Sequence, residues 1–181
     1  MAKLRKFVCY RRIERPFTRK SKYSKKNFVK VYPPSKIQRF ELGDAAKKFR
    51  YKLLVRVKNR LQIRHNALEA ARLTANKALE KHLGKDNYFL KIRVFPHHIL
   101  RENPLAAGAG ADRMSTGMAH SYGKNISVAA QLEEGQPVAE INVDEEGLKI
   151  AKLAMKRIAY KLPCSCTVEI LDTKTNKQVF V

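Results

Sequence analysis

Apolar and polar residues alternate first along IQRFEL, Ile37 to Leu42, which then meets Gly43, so the pattern predicts a short half-buried strand ending in a turn. In YKLLVRVKNRLQI, Tyr51 to Ile63, Leu53, Val55 and Val57 share one face while Lys52, Arg56 and Lys58 lie off it. That predicts a strand with a core face and a basic face, and a turn at Lys58 and Asn59 would make it two strands. The period then changes. From Asn66 to Leu83 the residues Leu68, Ala71, Ala75, Leu79 and Leu83 recur at helical spacing. Asn66 stands as N-cap, Glu69 follows three residues on as in a capping box, and Gly84 provides the stop. Tyr88 to Phe95, YFLKIRVF, returns to alternation, with Lys91 and Arg93 between Leu90, Ile92 and Val94.

Further on, the apolar runs Ile126 to Leu132 and Val138 to Val143 are joined by EEGQP, a turn-rich connection that predicts a hairpin. Asp144 caps a second helix whose first turn holds Glu145 and Glu146 and whose last turn holds Lys156, Arg157 and Lys161, in keeping with the helix dipole. Leu148, Ala151, Met155, Ile158 and Leu162 make its apolar stripe, Pro163 ends it, and Thr167 to Leu171 reads as a last strand. There is no internal repeat. The order β-β-α-β-loop-β-β-α-β gives an α+β fold, two helices on a mixed or antiparallel sheet. Residues 36–172 form this core, with a basic extension at 1–35 and a short tail at 173–181.

One stretch has neither period. Phe95 to Lys124, FPHHILRENPLAAGAGADRMSTGMAHSYGK, separates two strand-like runs, and a structureless loop of that length in a compact domain points to function or to a linker. Gly108, Gly110, Gly117 and Gly123 free its backbone, and Leu105, Met114, Met118 and Tyr122 give it the apolar anchors a linker lacks. Arg101, Arg113, His120 and Lys124 are spaced along it as isolated contacts, so we expect a functional loop over 101–124.

Charge narrows the partners. Lys and Arg number 38 against 16 Asp and Glu, a net +22, of which residues 1–64 hold +19 and the rest only +3. Such density points to a polyanion, because neutralising phosphates releases condensed counterions and needs many cations. The extension carries Lys3, Arg5, Lys6, Arg11, Arg12, Arg15, Arg19, Lys20, Lys22, Lys25 and Lys26, interleaved with Phe7, Tyr10, Phe17, Tyr23, Phe28 and Tyr32. Repulsion and Pro16, Pro33 and Pro34 predict an extended arm without a stable fold of its own. Its rings suit stacking on unpaired bases, or else they pack back onto the domain. Arg56, Lys58, Arg60 and Arg64 extend the cationic set onto the predicted strands.

Catalytic and metal chemistry find no frame. His97 and His98 are adjacent, so on an extended chain they point to opposite sides, and Asp112 and His120 are separated from them by glycines. Gly108-x-Gly110 opens neither a Walker-type loop nor a dinucleotide fingerprint, and Ser115 and Ser121 lack a nucleophile elbow. Cys9, Cys164 and Cys166 are odd in number, with a C-x-C too tight for a zinc knuckle, which favours reduced structural thiols. We expect no catalytic residue, cofactor or metal. No run of about 18 apolar residues offers a membrane span, and the first residues lack the apolar region of a secretory signal.

The series HNALEAARLTANKAL, FLKIRVFPHHILREN, GAGADRMSTGM and YGK resembles the large-ribosomal-subunit protein of the universal L-sixteen family, in its archaeal and eukaryotic L-ten-e form. The resemblance runs from CYRR at Cys9 to the last helix. It implies an α/β hammerhead-like fold, no enzymatic activity, and a structural place in the large subunit in the cytoplasm. It further implies contact with ribosomal RNA, tRNA and neighbouring ribosomal proteins, with no membrane and no homo-oligomer, and a long loop directed at the peptidyl transferase region. Arg101, Gly108, Gly110, Asp112, Arg113, Thr116, Gly117, Met118, His120 and Lys124 take the positions of that loop. The chain departs from the pattern at Pro104 and Ala119, where the family usually carries a Lys and an Arg, and its short tail leans towards the archaeal type. The rival expectation is a non-ribosomal RNA-binding or ribosome-assembly factor of the same fold.

Overall fold

The computed structural model describes residues 4–13, 29, 31–103, 105, 110–114, 117 and 123–173. Its strands are β1 (Glu41–Gly43), β2 (Tyr51–Val57), β3 (Leu61–Arg64), β4 (Tyr88–Ile92), β5 (His98–Glu102), β6 (Lys124–Leu132), β7 (Pro137–Val143) and β8 (Cys166–Asp172). The helices are α1 (His65–Leu83), the one-turn α2 (Ala111–Met114) and α3 (Leu148–Lys161). Two antiparallel sheets form, one ordered β1-β4-β7-β2-β8 and one ordered β3-β6-β5. The fold is α+β, with α1 and α3 packed on each other and on the large sheet.

The register explains where the core lies. Leu53 pairs with Ile141, which pairs in turn with Leu90, so alternation puts all three on one face, with Val55, Ala139 and Ile92 beside them. Against that face α1 sets Leu68, Ala71, Ala75, Ala78 and Leu79, and α3 sets Ala151, Ala154, Met155 and Ile158, all buried in one cluster. The alanines on both helices let their backbones approach. At the far edge Gly43 is required by geometry: its φ is +88°, and a β-carbon there would stand 2.1 Å from the Tyr88 carbonyl oxygen.

Several local expectations are corrected. The first strand is Glu41–Gly43, not Ile37 to Leu42, and Gly43 belongs to it. Asn66 is not the N-cap, since β3 runs directly into α1 with Arg64 at the cap position and no side-chain cap. His65 Nδ1 accepts the Lys36 N–H at 2.8 Å, which fixes the start of the helix against the incoming chain, and Glu69 binds Arg72 instead of closing a capping box. Asp144 precedes a 3-10 turn, Glu145–Gly147, rather than α3 itself, and its carboxylate accepts the Arg50 N–H at 3.2 Å.

The larger correction concerns β6 and β7. They do not form a hairpin: β6 lies between β3 and β5, and β7 lies between β4 and β2, so each already has a neighbour on both sides. The turn at Glu133 to Gln136 instead carries the chain from one sheet to the other, tied to the end of β2 by Gly135 N to Val57 O at 2.9 Å. The long aperiodic stretch also contains a strand that its pattern does not announce. His98–Glu102 pairs with β6 from His98 opposite Ala129 to Glu102 opposite Lys124, so Arg101 and Lys124 are strand residues and the loop proper is 103–123.

Candidate nucleic-acid interface

The small sheet has two faces. Gln62, Arg64, Leu100, Ser127, Ala129 and Gln131 share one by register, and Ile63, Ile99, Val128 and Ala130 share the other. The N-terminal extension packs against both. Tyr10 is buried with Leu100 and Ala129 on the first, and Val29 is buried with Ile99 and Val128 on the second. Gln62 holds the chain at the β3 edge twice, its backbone N–H donating to Arg11 O at 3.3 Å and its side-chain amide to Arg12 O at 3.1 Å. Arg64 donates to Arg5 O at 2.9 Å with its guanidinium 5.7 Å from the centre of the Tyr10 ring. Thus the described part of the arm is docked, not loose, and Tyr10 is a core ring rather than a base-stacking one. Tyr32 is likewise engaged, donating its hydroxyl to Pro96 O at 2.7 Å.

Docking sorts the predicted cations. Arg5 Nε is 2.7 Å from Glu102 Oε1, a hydrogen bond and charge that raise the pKa of the guanidinium further. Lys6, Arg11 and Arg12 are exposed, with their backbones held close to the sheet and their charges presented to solvent. Lys3, Arg15, Arg19, Lys20, Lys22, Lys25 and Lys26 lie outside the described residues.

The outer face of the large sheet is close to charge balance instead of basic. Arg56 binds Glu169 at 2.6 Å and Gly135 O at 2.8 Å, while Lys52 and Arg93 both reach Glu140 at 2.8 Å. Burial alone would raise the Glu140 pKa, but the Lys52 hydrogen bond and charge, with Asn142 and Arg93, bring it below the ordinary value. Arg60 is 3.1 Å from Glu133. Of the four strand cations picked from the sequence, Lys58 is the exposed one without a side-chain partner among the described residues.

The loop rises from the open end of the β5–β6 pair. Leu105 N–H donates to Asn103 Oδ1 at 3.0 Å, an Asx turn at the first bend, and Arg113 N–H donates to Gly110 O at 3.0 Å where α2 begins. Gly110 and Gly117 have φ of +75° and +80°, a region that L side chains seldom enter, and nothing lies within 4 Å of a β-carbon built on either. Arg113 and Met114 project into solvent, Met114 at 75% exposure, while the Arg101 pKa is lowered by burial at the base. Gly108, Thr116, Met118 and His120 lie outside the described residues, and Asp112 is described only as a residue of α2.

This loop, carried on a small antiparallel sheet beside exposed cations, accords with the family comparison, in which residues 18–169 match the family described as Ribosomal protein L16p/L10e. The chain belongs to that family. Similar proteins include a "Large ribosomal subunit protein uL16" of Hyperthermus butylicus, 44% identical over 84% of each chain. Another of the same name, from Methanococcus maripaludis, is 40% identical over 94% of this chain and 96% of its own. A third, from Archaeoglobus fulgidus, is 42% identical over 85% of each. The resemblance read from GAGADRMSTGM therefore leads to the right family.

Sequence reasoning overlooked one surface. Lys77 and Lys81 on α1 and Lys156, Arg157 and Lys161 on α3 are exposed and form no ion pair among the described residues. Their signal is present as cations off both apolar stripes, but in the sequence Lys156, Arg157 and Lys161 read as complements to the helix dipole, whereas of these three the last turn of α3 holds Lys161. Among the described residues no group of three or more His, Cys, Asp or Glu could hold a metal ion, and no helix is long and apolar enough to cross a membrane.

Proposed function

We propose that this protein is a structural, non-enzymatic constituent of the large ribosomal subunit in the cytoplasm, held on ribosomal RNA among other ribosomal proteins. Family membership supports that role. The finer part of the reading is that the loop at 103–123 reaches the region where tRNA binds and peptide bonds form. The observation that carries it is the exposure of Arg113 and Met114 on α2, in the middle of a loop sequence whose two flanks are hydrogen-bonded strands. The paired strands fix where the loop leaves the body, and Arg113 offers a planar fork suited to a phosphate or base edge. The positive φ at Gly110 and Gly117 shapes the backbone around it.

The test replaces residues 104–122 by a few Gly and Ser, sparing Glu102, whose carboxylate anchors Arg5. Purified large subunits carrying the variant should contain the protein at full occupancy, yet bind tRNA and form peptide bonds poorly. Gly110→Val and Arg113→Ala should each give part of the defect. Normal polysome profiles and tRNA binding at full occupancy would reduce the loop to a connection.

A further inference from the structure

We propose that the groove between α1 and α3 is a second RNA-binding site, one that takes an unpaired nucleotide with its base on Tyr160 and its phosphates on Lys77, Arg157 and Lys161. It rests on the ribosomal role proposed for the chain but concerns a surface on the opposite side of the large sheet from the ion-paired face. The two helices run antiparallel, the end of α1 at His82 and Leu83 meeting the start of α3 at Gly147. Towards the other end of α3 they part into an open groove of about 320 Å³ lined by Thr74, Lys77, Arg157, Tyr160 and Lys161.

Four properties of this lining point to one occupant. Tyr160 is 81% exposed, an aromatic ring that the core does not use. The three cations have no ion pair among the described residues, and the lining contains no acid. Glu80, on the same helix as Lys77, is engaged by Asn76 and Lys85. The Thr74 hydroxyl bonds the Ala70 and Ala71 carbonyls of its own helix, which leaves its methyl as what it offers a ligand. The floor is therefore apolar and the rim cationic, with a ring at the mouth. An acidic peptide would answer the rim and leave the ring without a partner. An extruded nucleotide answers both, since every base has a face to stack and every linkage a phosphate. The last carbonyls of α3 would repel that phosphate, and Arg157 and Lys161 in its final turns offset them.

The experiment titrates the full chain with a short single-stranded oligouridylate carrying one 2-aminopurine, whose weakly stacking neighbours leave the free probe bright, following fluorescence quenching and the salt dependence of binding. Tyr160→Ala should abolish the quench and weaken binding about 5- to 100-fold, as for loss of one stacked base, while Tyr160→Phe keeps both. Replacing Lys77, Arg157 and Lys161 with Ala should flatten the salt dependence by roughly 2 in log–log slope. A parallel variant, Lys6, Arg11 and Arg12 to Gln, should weaken binding yet retain the quench. If wild-type protein binds but Tyr160→Ala quenches as it does, the groove proposal is overturned and the ribosomal role stands. Polyglutamate displacing the oligonucleotide at equal charge, with no effect of Tyr160, would make it an acidic-protein surface and likewise overturn it. If the wild-type chain binds no RNA at all, both proposals fall. The exposure of Tyr160 keeps the fold out of the comparison, which circular dichroism of each variant checks.

Discussion

Burial holds the His98 imidazole neutral, pushing its pKa down from 6.5 to about 4, with the charges of His97 and Arg101 adding to the effect. The unfolded chain takes up that proton near 6.5 and the folded chain only near 4, so between these values the unfolded state binds more protons. Stability from this residue is therefore complete above about pH 6.5 and is lost as the pH falls towards 4, by no more than about 1.4 kcal/mol per pH unit across that window. His98→Gln, which cannot charge, should narrow the gap in urea-unfolding stability between about pH 7 and about pH 4.5. An identical gap in both proteins would mean that other groups carry the acid sensitivity. Glu140 acts in the same direction lower on the scale, because its depressed pKa means that stability is lost as acid protonates it away from Lys52 and Arg93. Comparison between variant and parent removes that contribution.

At the scale of elements, the docked N-terminal segment behaves as part of the small sheet. Tyr10→Ala should cost about 2–4 kcal/mol, near the lower end for removing a buried ring, because Tyr10 packs on one face of a three-stranded sheet rather than in the main core. Tyr10→Phe, which removes the Arg5 N–H bond to the hydroxyl at 3.1 Å, should cost only about 1 kcal/mol. Thermal unfolding of the three proteins distinguishes them, and equal midpoints for Tyr10→Ala and wild type would mean that the segment is undocked in solution. This docking is hard to read from sequence because charge repulsion and prolines are local signals, whereas the Tyr10 site is made by Leu100 and Ala129, far away along the chain. The same contrast explains the rest. Leu68, Ala71, Ala75 and Leu79 announce α1 because a helix is built from neighbours, and Leu53, Val55 and Val57 announce β2 by alternation. The partners of β6 and β7 are set by a sheet order that no turn sequence encodes, and β5 escapes notice because HILRE is short and follows PH instead of a turn signal. At the interface, exposed positions such as Arg11 and Arg12 are legible as charge, but the neutralising of Arg56 by Glu169 depends on strands 113 residues apart.

For the molecule as a whole, charge is distributed by pairing as much as by composition. The sequence holds +22, yet the outer face of the large sheet is nearly balanced, while Lys6, Arg11 and Arg12 stand out beside the small sheet. Changing those three to Gln should lower the salt dependence of ribosomal RNA binding by about 2 to 3 in log–log slope, one unit or slightly less for each lost phosphate contact. Lys52→Gln with Arg56→Gln should change it far less, and filter binding over a range of salt concentrations decides the matter; equal slopes for both variants would contradict this division. Because β4 and β7 lie side by side, everything from residue 93 to 136 leaves the large sheet and returns to the neighbouring position. The excursion is anchored at a gap of one strand spacing whatever its length, and doubling a flexible loop adds only about 0.6 kcal/mol of closure entropy. Insertions or deletions at its tip thus change how far the protein extends without asking the helices or the large sheet to repack, so reach and fold are free to vary separately over evolutionary time.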